Sequence, residues 1–264
     1  MSHRGLVISA ILDHSVVIPL YNEGEILRPL YNRITQVLNC LPGNYEIIFI
    51  DDGSTDSSYS ILKGIASSDK TVKVISFKKN AGQHKAVVAG ILQASGDYLI
   101  TMDADLQNPP EEIPRLLKKA AEGFDMVSGH RKVRKDKIKR RICSYLTNCM
   151  ISAITGLKMK DYGSMLRVYK RETARNLAYE FIRSECYITM LIAKVTRSVA
   201  EIEVDHDERY AGESKYSFRK LTSAFLRIFR YYGITNNILA KNKGTPLFCI
   251  RRKVENGQEI VITP

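Results

Sequence analysis

Four short apolar runs, rich in β-branched residues, punctuate the first hundred positions: Ser15 to Leu20 (SVVIPL), Glu46 to Asp51 (EIIFID), Val72 to Phe77 (VKVISF) and Tyr98 to Asp103 (YLITMD). Their length and near-continuous hydrophobicity predict parallel strands buried on both faces. The intervening segments carry helical spacing, as in Leu27, Leu30, Tyr31, Ile34, Val37 and Leu38, and then Ile61, Leu62 and Ile65. Strand and helix therefore alternate, which predicts βαβ units and a mostly parallel, Rossmann-like α/β sheet flanked by helices.

In such sheets ligands bind outside the carboxyl ends of the strands. Here those ends are polar. The first run leads into Pro19, Tyr21, Asn22 and Glu23; the second into Asp51, Asp52, Gly53 and Ser54; the fourth into Asp103, Ala104, Asp105, Leu106 and Gln107. Three strand ends are thus expected to converge on one acidic rim.

Past Gly129 the pattern changes. A basic run, His130 to Arg141, precedes an uncharged helical stretch, Ile142 to Leu157, which is too short and too polar to span a membrane. A polar loop follows at Asp161 to Ser164. A last helical stretch, Ser217 to Tyr232, places Leu221, Phe225, Ile228, Phe229 and Tyr232 together with basic residues around them, as either a core helix or a membrane-surface helix would. Two β-like runs, Pro246 to Ile250 and Glu259 to Ile262, suggest a small hairpin. The expected organisation is a catalytic domain over residues 1–216 and an amphipathic helix with a hairpin-like tail over residues 217–264.

Forty Lys and Arg against 28 Asp and Glu give a net charge of +12, which suits an anionic partner: a phosphate substrate, nucleic acid or acidic lipid. The basic run holds eight Lys or Arg against one acid, Asp136. No aromatic residues interleave it for base stacking, so nucleic acid is disfavoured; followed by the uncharged stretch, it fits an anionic membrane surface better. The five cysteines are scattered without C-x-x-C spacing, which suggests neither a disulfide framework nor a zinc site and makes a reducing, cytoplasmic setting the default. No secretory signal is read at the N-terminus.

The strongest local signal is D-A-D-L-Q-N-P-P, Asp103 to Pro110. On an extended backbone Asp103 and Asp105 share a side and Gln107 continues it, a set of hard oxygen donors suited to Mg²⁺ or Mn²⁺ and a bound diphosphate. The plainer reading is an acidic turn capping the helix that Pro110 begins. The second signal, D-D-G-S-T-D (Asp51 to Asp56), is either a turn with a helix cap or a pair of carboxylates that accept hydrogen bonds from a nucleoside. A dinucleotide oxidoreductase is disfavoured because no G-x-G-x-x-G follows the first strand. His206 suggests no role, and His84 reads as a wall of the donor pocket rather than a proton carrier.

These motifs occur in order with P-L-Y-N-E (Pro19 to Glu23), N-A-G-Q-H-K-A (Asn80 to Ala86), D-Y-G-S-M-L-R (Asp161 to Arg167) and R-Y-A-G-E-S-K-Y-S (Arg209 to Ser217). Together they resemble family-2 GT-A glycosyltransferases of the polyprenyl-phosphate branch, which includes dolichol-phosphate mannose synthases and undecaprenyl-phosphate formamidoarabinose transferases. The resemblance implies a GT-A fold and a nucleotide-sugar donor held by Pro19, Tyr21, Glu23 and Asp52. It implies that Asp103, Asp105 and Gln107 surround the metal, and that Arg209, Ser214 and Lys215 close over the diphosphate. It places Arg131, Arg140 and Ser144 on the phosphate of a polyprenyl phosphate acceptor and Asp161 beside the reacting sugar. Asp103, Asp105 and Asp161 are then the catalytic set of an inverting transferase.

Bacterial members of that branch usually add two membrane spans after the helix that corresponds to Ser217 to Tyr232, where this sequence gives Asn236, Asn237, Lys241, Asn242 and Lys243. Two expectations stay open: a peripheral enzyme at the inner membrane face, helped by amphipathic helices, a small membrane-protein partner or a second copy of the chain, or a soluble transferase with a non-lipid acceptor. A non-catalytic nucleotide-sugar sensor is the rival from another class. The membrane reading predicts that reversing Lys135, Lys137 and Lys139 to Glu weakens binding to anionic vesicles without unfolding the protein. Co-sedimentation checks it, and equal binding by both proteins would contradict it.

Overall fold

The structure is a computed structural model that describes residues 13–131, 138–184, 186–206 and 248–261. Four parallel strands form its centre: β1 (His14–Leu20), β2 (Tyr45–Asp51), β3 (Val72–Phe77) and β4 (Tyr98–Thr101), in the order β3-β2-β1-β4. They coincide with the four apolar runs. The remaining strands are β5 (Met126–Arg131), β6 (Arg167–Lys170), β7 (Val199–Val204), β8 (Ile250–Glu255) and β9 (Gln258–Val261). The described strands make one nine-stranded sheet, β7-β5-β6-β4-β1-β2-β3-β8-β9, in which β6 runs antiparallel to both β4 and β5, and β8 antiparallel to β3.

Helices cover both faces because consecutive residues of each central strand are apolar and point alternately to one face and the other. Val17, Ile48, Ile50 and Ile75 face α3 (Gln83–Gln93), α6 (Arg171–Ser184) and α7 (Ile188–Val195). Val16, Ile18, Ile47, Phe49 and Val74 face α1 (Leu27–Asn39), α2 (Ser58–Ser68) and α4 (Ile113–Ala120). Each such side chain taken from water stabilises the sheet by about 1.5–3 kcal/mol. The approach of α3 to β1 requires Gly90, where a Cβ would stand 2.2 Å from Val17 Cγ1. A further helix, α5 (Ile138–Thr155), covers most of the uncharged stretch. Among the described residues no helix is long and apolar enough to cross a membrane.

The C-terminal hairpin is present, but its first strand is Ile250–Glu255 and not Pro246 to Ile250. Phe248 precedes it and stacks on Phe77 with ring centroids 5.1 Å apart. The strand itself is mostly charged, which suits a position near the sheet edge. Lys73 of β3 pairs with Glu255 at 2.9 Å, and Tyr59 of α2 donates to Glu259 at 2.6 Å. The expected boundary between residues 216 and 217 lies outside the described residues.

At the rim opposite the strand ends, Glu46 is almost wholly buried. Its Oε1 accepts hydrogen bonds from Ser15 Oγ and the Ser95 amide, both at 2.6 Å, and its Oε2 lies 2.9 Å from Lys73 Nζ. One carboxylate thereby joins β1, β2, β3 and the turn into β4. Glu46→Ala should lower unfolding free energy by about 3 kcal/mol, because it strands several buried polar groups together. Urea denaturation checks this, and a change below about 0.5 kcal/mol would show the network to be incidental.

Candidate functional site at the strand ends

Strand order makes the site. The chain steps outward from β1 to β2 to β3, then returns to the other side of β1 for β4, so the crevice between the ends of β1 and β4 is the switch point where open α/β sheets bind ligands. Tyr21 and Glu23 follow β1, and Asp103 and Asp105 follow β4. Pro19 is buried within β1, whereas Tyr21 and Glu23 are partly exposed.

After Thr101, burial alternates residue by residue: Met102, Ala104 and Leu106 are buried, and Asp103, Asp105 and Gln107 are partly exposed. The apolar residues anchor this segment in the α1/α4 core, which turns the polar ones to the opposite side. Leu106 has φ of +56°, an uncommon value for a residue with a β-carbon, and the Gln107 amide donates to Asp105 Oδ1 at 3.2 Å. The segment thus turns sharply beneath the two carboxylates. Asp103 Oδ1 accepts from Gln83 Nε2 of α3 at 2.5 Å.

No group of three or more His, Cys, Asp or Glu with metal-binding geometry occurs among the described residues. Two carboxylates and an amide are too few for a closed cage, and they fit instead a hard cation that takes its remaining ligands from substrate phosphates and water.

The D-D-G-S-T-D loop serves the scaffold more than the sequence suggested. Asn22 donates its amide to Ser54 Oγ at 2.9 Å and accepts from the Thr55 amide at 2.8 Å. Glu23 donates its amide to Ser58 Oγ at 3.0 Å, and Gly24 donates to Asp56 Oδ2 at 3.1 Å. Although burial opposes it, the hydrogen bonds from Ser58 and Gly24 hold the Asp56 carboxyl below its usual range. The loop after β1 is therefore held by the loop after β2. Gly53 makes that second loop possible: its φ is +73°, and a Cβ would meet the backbone of Lys79 at 2.6 Å.

Asp51 accepts from the Ser54 amide at 2.8 Å and from Ser76 Oγ at 2.7 Å. Asp52, expected at the nucleoside, receives the amides of Ala81 and Gly82 at 2.7 and 2.9 Å. It fixes the entry to α3. Burial pushes its carboxyl above the usual range, against the pull of those two amides.

A second polar cluster stands at the end of β5. Arg131 donates Nε to Asp161 Oδ2 at 2.7 Å and Nη2 to Oδ1 at 3.1 Å, a two-pronged fork with little solvent access. Glu201 of β7 accepts the amides of Lys160 and Asp161 at 2.7 and 3.2 Å, which fixes the loop that presents the aspartate. Arg131, expected on an acceptor phosphate, thus has Asp161 as an immediate partner. Behind the loop Arg167 is fully buried and donates to the Tyr162 carbonyl at 2.8 Å. Arg140 and Ser144 fall in α5, but their side chains lie outside the described residues, as do Arg209, Ser214 and Lys215 entirely.

His84, on the first turn of α3, packs edge-on against Tyr187 with ring centroids 5.1 Å apart. Burial, with the nearby Arg167 charge, pushes its pKa down to about 4, so the imidazole is neutral near pH 7.

Breaking the fork leaves a charge buried. Arg131→Ala should cost about 3 kcal/mol of stability, and adding Asp161→Asn should recover at least about 1 kcal/mol of it. A double-mutant cycle by urea unfolding measures this coupling, and strict additivity would mean that the fork contributes nothing to the fold.

The chain is 47% identical over 208 residues to an undecaprenyl-phosphate 4-deoxy-4-formamido-L-arabinose transferase of Proteus mirabilis (strain HI4320), a match covering 78% of this chain and 64% of that protein. It is 46% identical over 208 residues to the protein of the same name from Yersinia pestis (strain Pestoides F), covering 78% of this chain and 63% of the relative. The chain thus spans less than two thirds of the length of these relatives. Among solved structures, glucosyl-3-phosphoglycerate synthase from Mycobacterium tuberculosis, in complex with Mn²⁺, uridine diphosphate and glucosyl-3-phosphoglycerate, superposes with a TM-score of 0.60 at 18% identity, covering 86% of this chain and 82% of that one. That likeness identifies the fold as the GT-A arrangement. With the model of "Glycosyl transferase family 2" matching residues 15–191, more than half of its length, the chain belongs to glycosyl transferase family 2.

Proposed function

We propose that this protein transfers a sugar, with inversion, from a uridine diphosphate donor to a polyprenyl phosphate, most simply undecaprenyl phosphate, at the cytoplasmic face of a membrane. The observation that carries the proposal is the alternation of burial after β4, which leaves Asp103, Asp105 and Gln107 partly exposed at the β1/β4 switch point. Support for the donor comes from the solved GT-A neighbour crystallised with Mn²⁺ and uridine diphosphate, and for the acceptor from the names of the Proteus and Yersinia relatives.

Tyr21, Glu23 and Asp52 would line the nucleoside end, with Pro19 beneath them as a rigid floor. Asp103, Asp105 and Gln107 would hold Mg²⁺ or Mn²⁺. Bound there, the cation neutralises the charge that builds on the departing diphosphate. Arg209, Ser214 and Lys215 would close over the diphosphate. An acceptor phosphate oxygen attacks the anomeric carbon as the bond from that carbon to the diphosphate oxygen breaks, so configuration inverts.

A phosphate monoester has its second pKa near 6 and is largely ionised at neutral pH, so the reaction needs no strong general base. Asp161 therefore has an orienting role. Its fork with Arg131 would hold the carboxylate in place beside the sugar, and Arg131, Arg140 and Ser144 would receive the acceptor phosphate. The basic run at His130 to Arg141 would hold this side against anionic lipid.

Transfer of labelled sugar from uridine diphosphate sugars to undecaprenyl phosphate tests the proposal. Wild-type protein should transfer in the presence of Mg²⁺ or Mn²⁺ and stop in excess EDTA. Asp105→Ala should lose about 100-fold or more of the rate while remaining folded, because it removes charge stabilisation at a partly exposed strand end rather than core packing. Full turnover in EDTA would overturn the metal assignment, and transfer only to water-soluble acceptors would overturn the lipid one.

A further inference from the structure

A small cavity opens on the β3 side of the rim, away from the β1/β4 crevice, where β2 and β3 end beside the start of β8. Its volume is about 180 Å³, and Ser54, Thr55, Tyr59, Lys78, Arg251 and Arg252 are among the residues that line it. That volume is below the roughly 300 Å³ at which sites for drug-sized molecules begin, so it suits an ion-sized group and not a nucleoside. None of the described residues assigned to the donor or the metal lines it.

The lining is cationic. Lys78, Arg251 and Arg252 stand there against one acid, Asp51, which is buried and already accepts from the Ser54 amide and Ser76 Oγ. Lys78 and Arg251 have no side-chain hydrogen bond or ion pair among the described residues. Arg252 lies over the Tyr59 ring, 5.1 Å from its centroid, and 3.8 Å from Glu259, whose carboxylate is already held by Lys63 and Tyr59.

The backbone gathers these cations. Ser76 pairs with Arg252 and Phe77 with Ile250, so Arg251 has no partner of its own across the ladder and β8 bulges there. Pairing resumes where the Lys78 amide donates to the Cys249 carbonyl at 3.0 Å. A place near the sheet edge accounts for charge on β8, but not for a bulge that brings two consecutive arginines to one concavity with a lysine from the end of β3. Like charges so gathered repel one another, and a bound anion removes that repulsion.

We propose that this cavity binds one phosphate group, free or as a monoester, at a site separate from the donor crevice. Phosphate oxygens match the forked donors of guanidinium groups and the point charge of a lysine. The Ser54 hydroxyl, which accepts the Asn22 amide, retains its proton for a further bond. The inference stands on this lining and this bulge, and neither the donor nor the acceptor reading is needed for it.

Backbone amide shifts, followed by NMR at constant ionic strength, test it with inorganic phosphate and with glycerol 3-phosphate. The amides of Gly53, Lys78 and Arg251 should shift and saturate with phosphate but not with chloride. Uridine diphosphate with Mg²⁺ should leave that dissociation constant within about twofold, as expected of sites that share no residue. Arg251→Gln, at an exposed position, should raise it about tenfold or more through loss of a charge-assisted bond. Tighter binding of glycerol 3-phosphate assigns a monoester as the ligand, and equal or weaker binding assigns free phosphate; both uphold the site. Shifts that fail to saturate, that chloride reproduces, that Arg251→Gln leaves unchanged or that uridine diphosphate abolishes would each overturn it. The amide spectrum shows whether the variant is folded; if it is not, Lys78→Gln decides the same comparison.

Discussion

The parallel register of β2, β1 and β4 is the constraint on which the rest of the molecule depends. His14 pairs with Tyr45 on one side and with Tyr98 on the other, so three strands start level and deliver their carboxyl ends to one rim. Parallel strands of this kind are stable only when both faces are covered, and the alternating Val and Ile residues of β1 supply one core to each face. The burial that makes the sheet leaves the charged residues of β2 and β3 at the two rims, Glu46 and Lys73 at one and Asp51 at the other. Glu46 secures the opposite rim, where its single carboxylate ties β1, β2, β3 and the turn into β4 together.

At the functional rim, polar residues divide between holding loops and facing the crevice. Ser54, Asp56 and Ser58 satisfy the amides of Asn22, Gly24 and Glu23, and Asp52 satisfies those of Ala81 and Gly82. These bonds tie the loops at the crevice to one another, and precise placement of a reacting centre requires such support. Asp103, Asp105 and Gln107 are kept out of the core because the apolar residues between them are anchored in it. Charge is handled similarly across the sheet, where Glu201 fixes the backbone that carries Asp161 and Arg131 balances its carboxylate.

The central strands were legible because near-continuous β-branched runs bounded by turns admit few other readings, and Val72–Phe77 agrees at both ends. The alternation of burial in D-A-D-L-Q was also readable from its polar and apolar residues, although the backbone there turns at Leu106 and does not stay extended. The hairpin was less so. Its first strand, IRRKVE, is too charged to read as β from hydrophobicity, and only the ion pairs of Lys73 and Glu255 and the stacking of Phe248 on Phe77 explain its place. The clamp built by D-D-G-S-T-D was also hidden, because its partners, Asn22 to Gly24, lie about thirty residues earlier in the sequence. For Arg131 the sequence offered a member of a basic run and a candidate for an acceptor phosphate, whereas its fork on Asp161 follows from β5 and the loop before β6 ending side by side. His84 stood out as a motif residue, but its unpaired nitrogen is a property of packing alone.

The central claim is that the crevice between β1 and β4 holds a diphosphate through a cation bound by Asp103 and Asp105. Anomalous scattering from Mn²⁺, in crystals grown with uridine diphosphate, tests it most directly. The account predicts one strong peak about 2.1 Å from a carboxylate oxygen of Asp103 or Asp105 and equally close to the diphosphate oxygens. A diphosphate bound in that crevice with no cation beside these carboxylates, or a cation bound elsewhere on the rim, would contradict it.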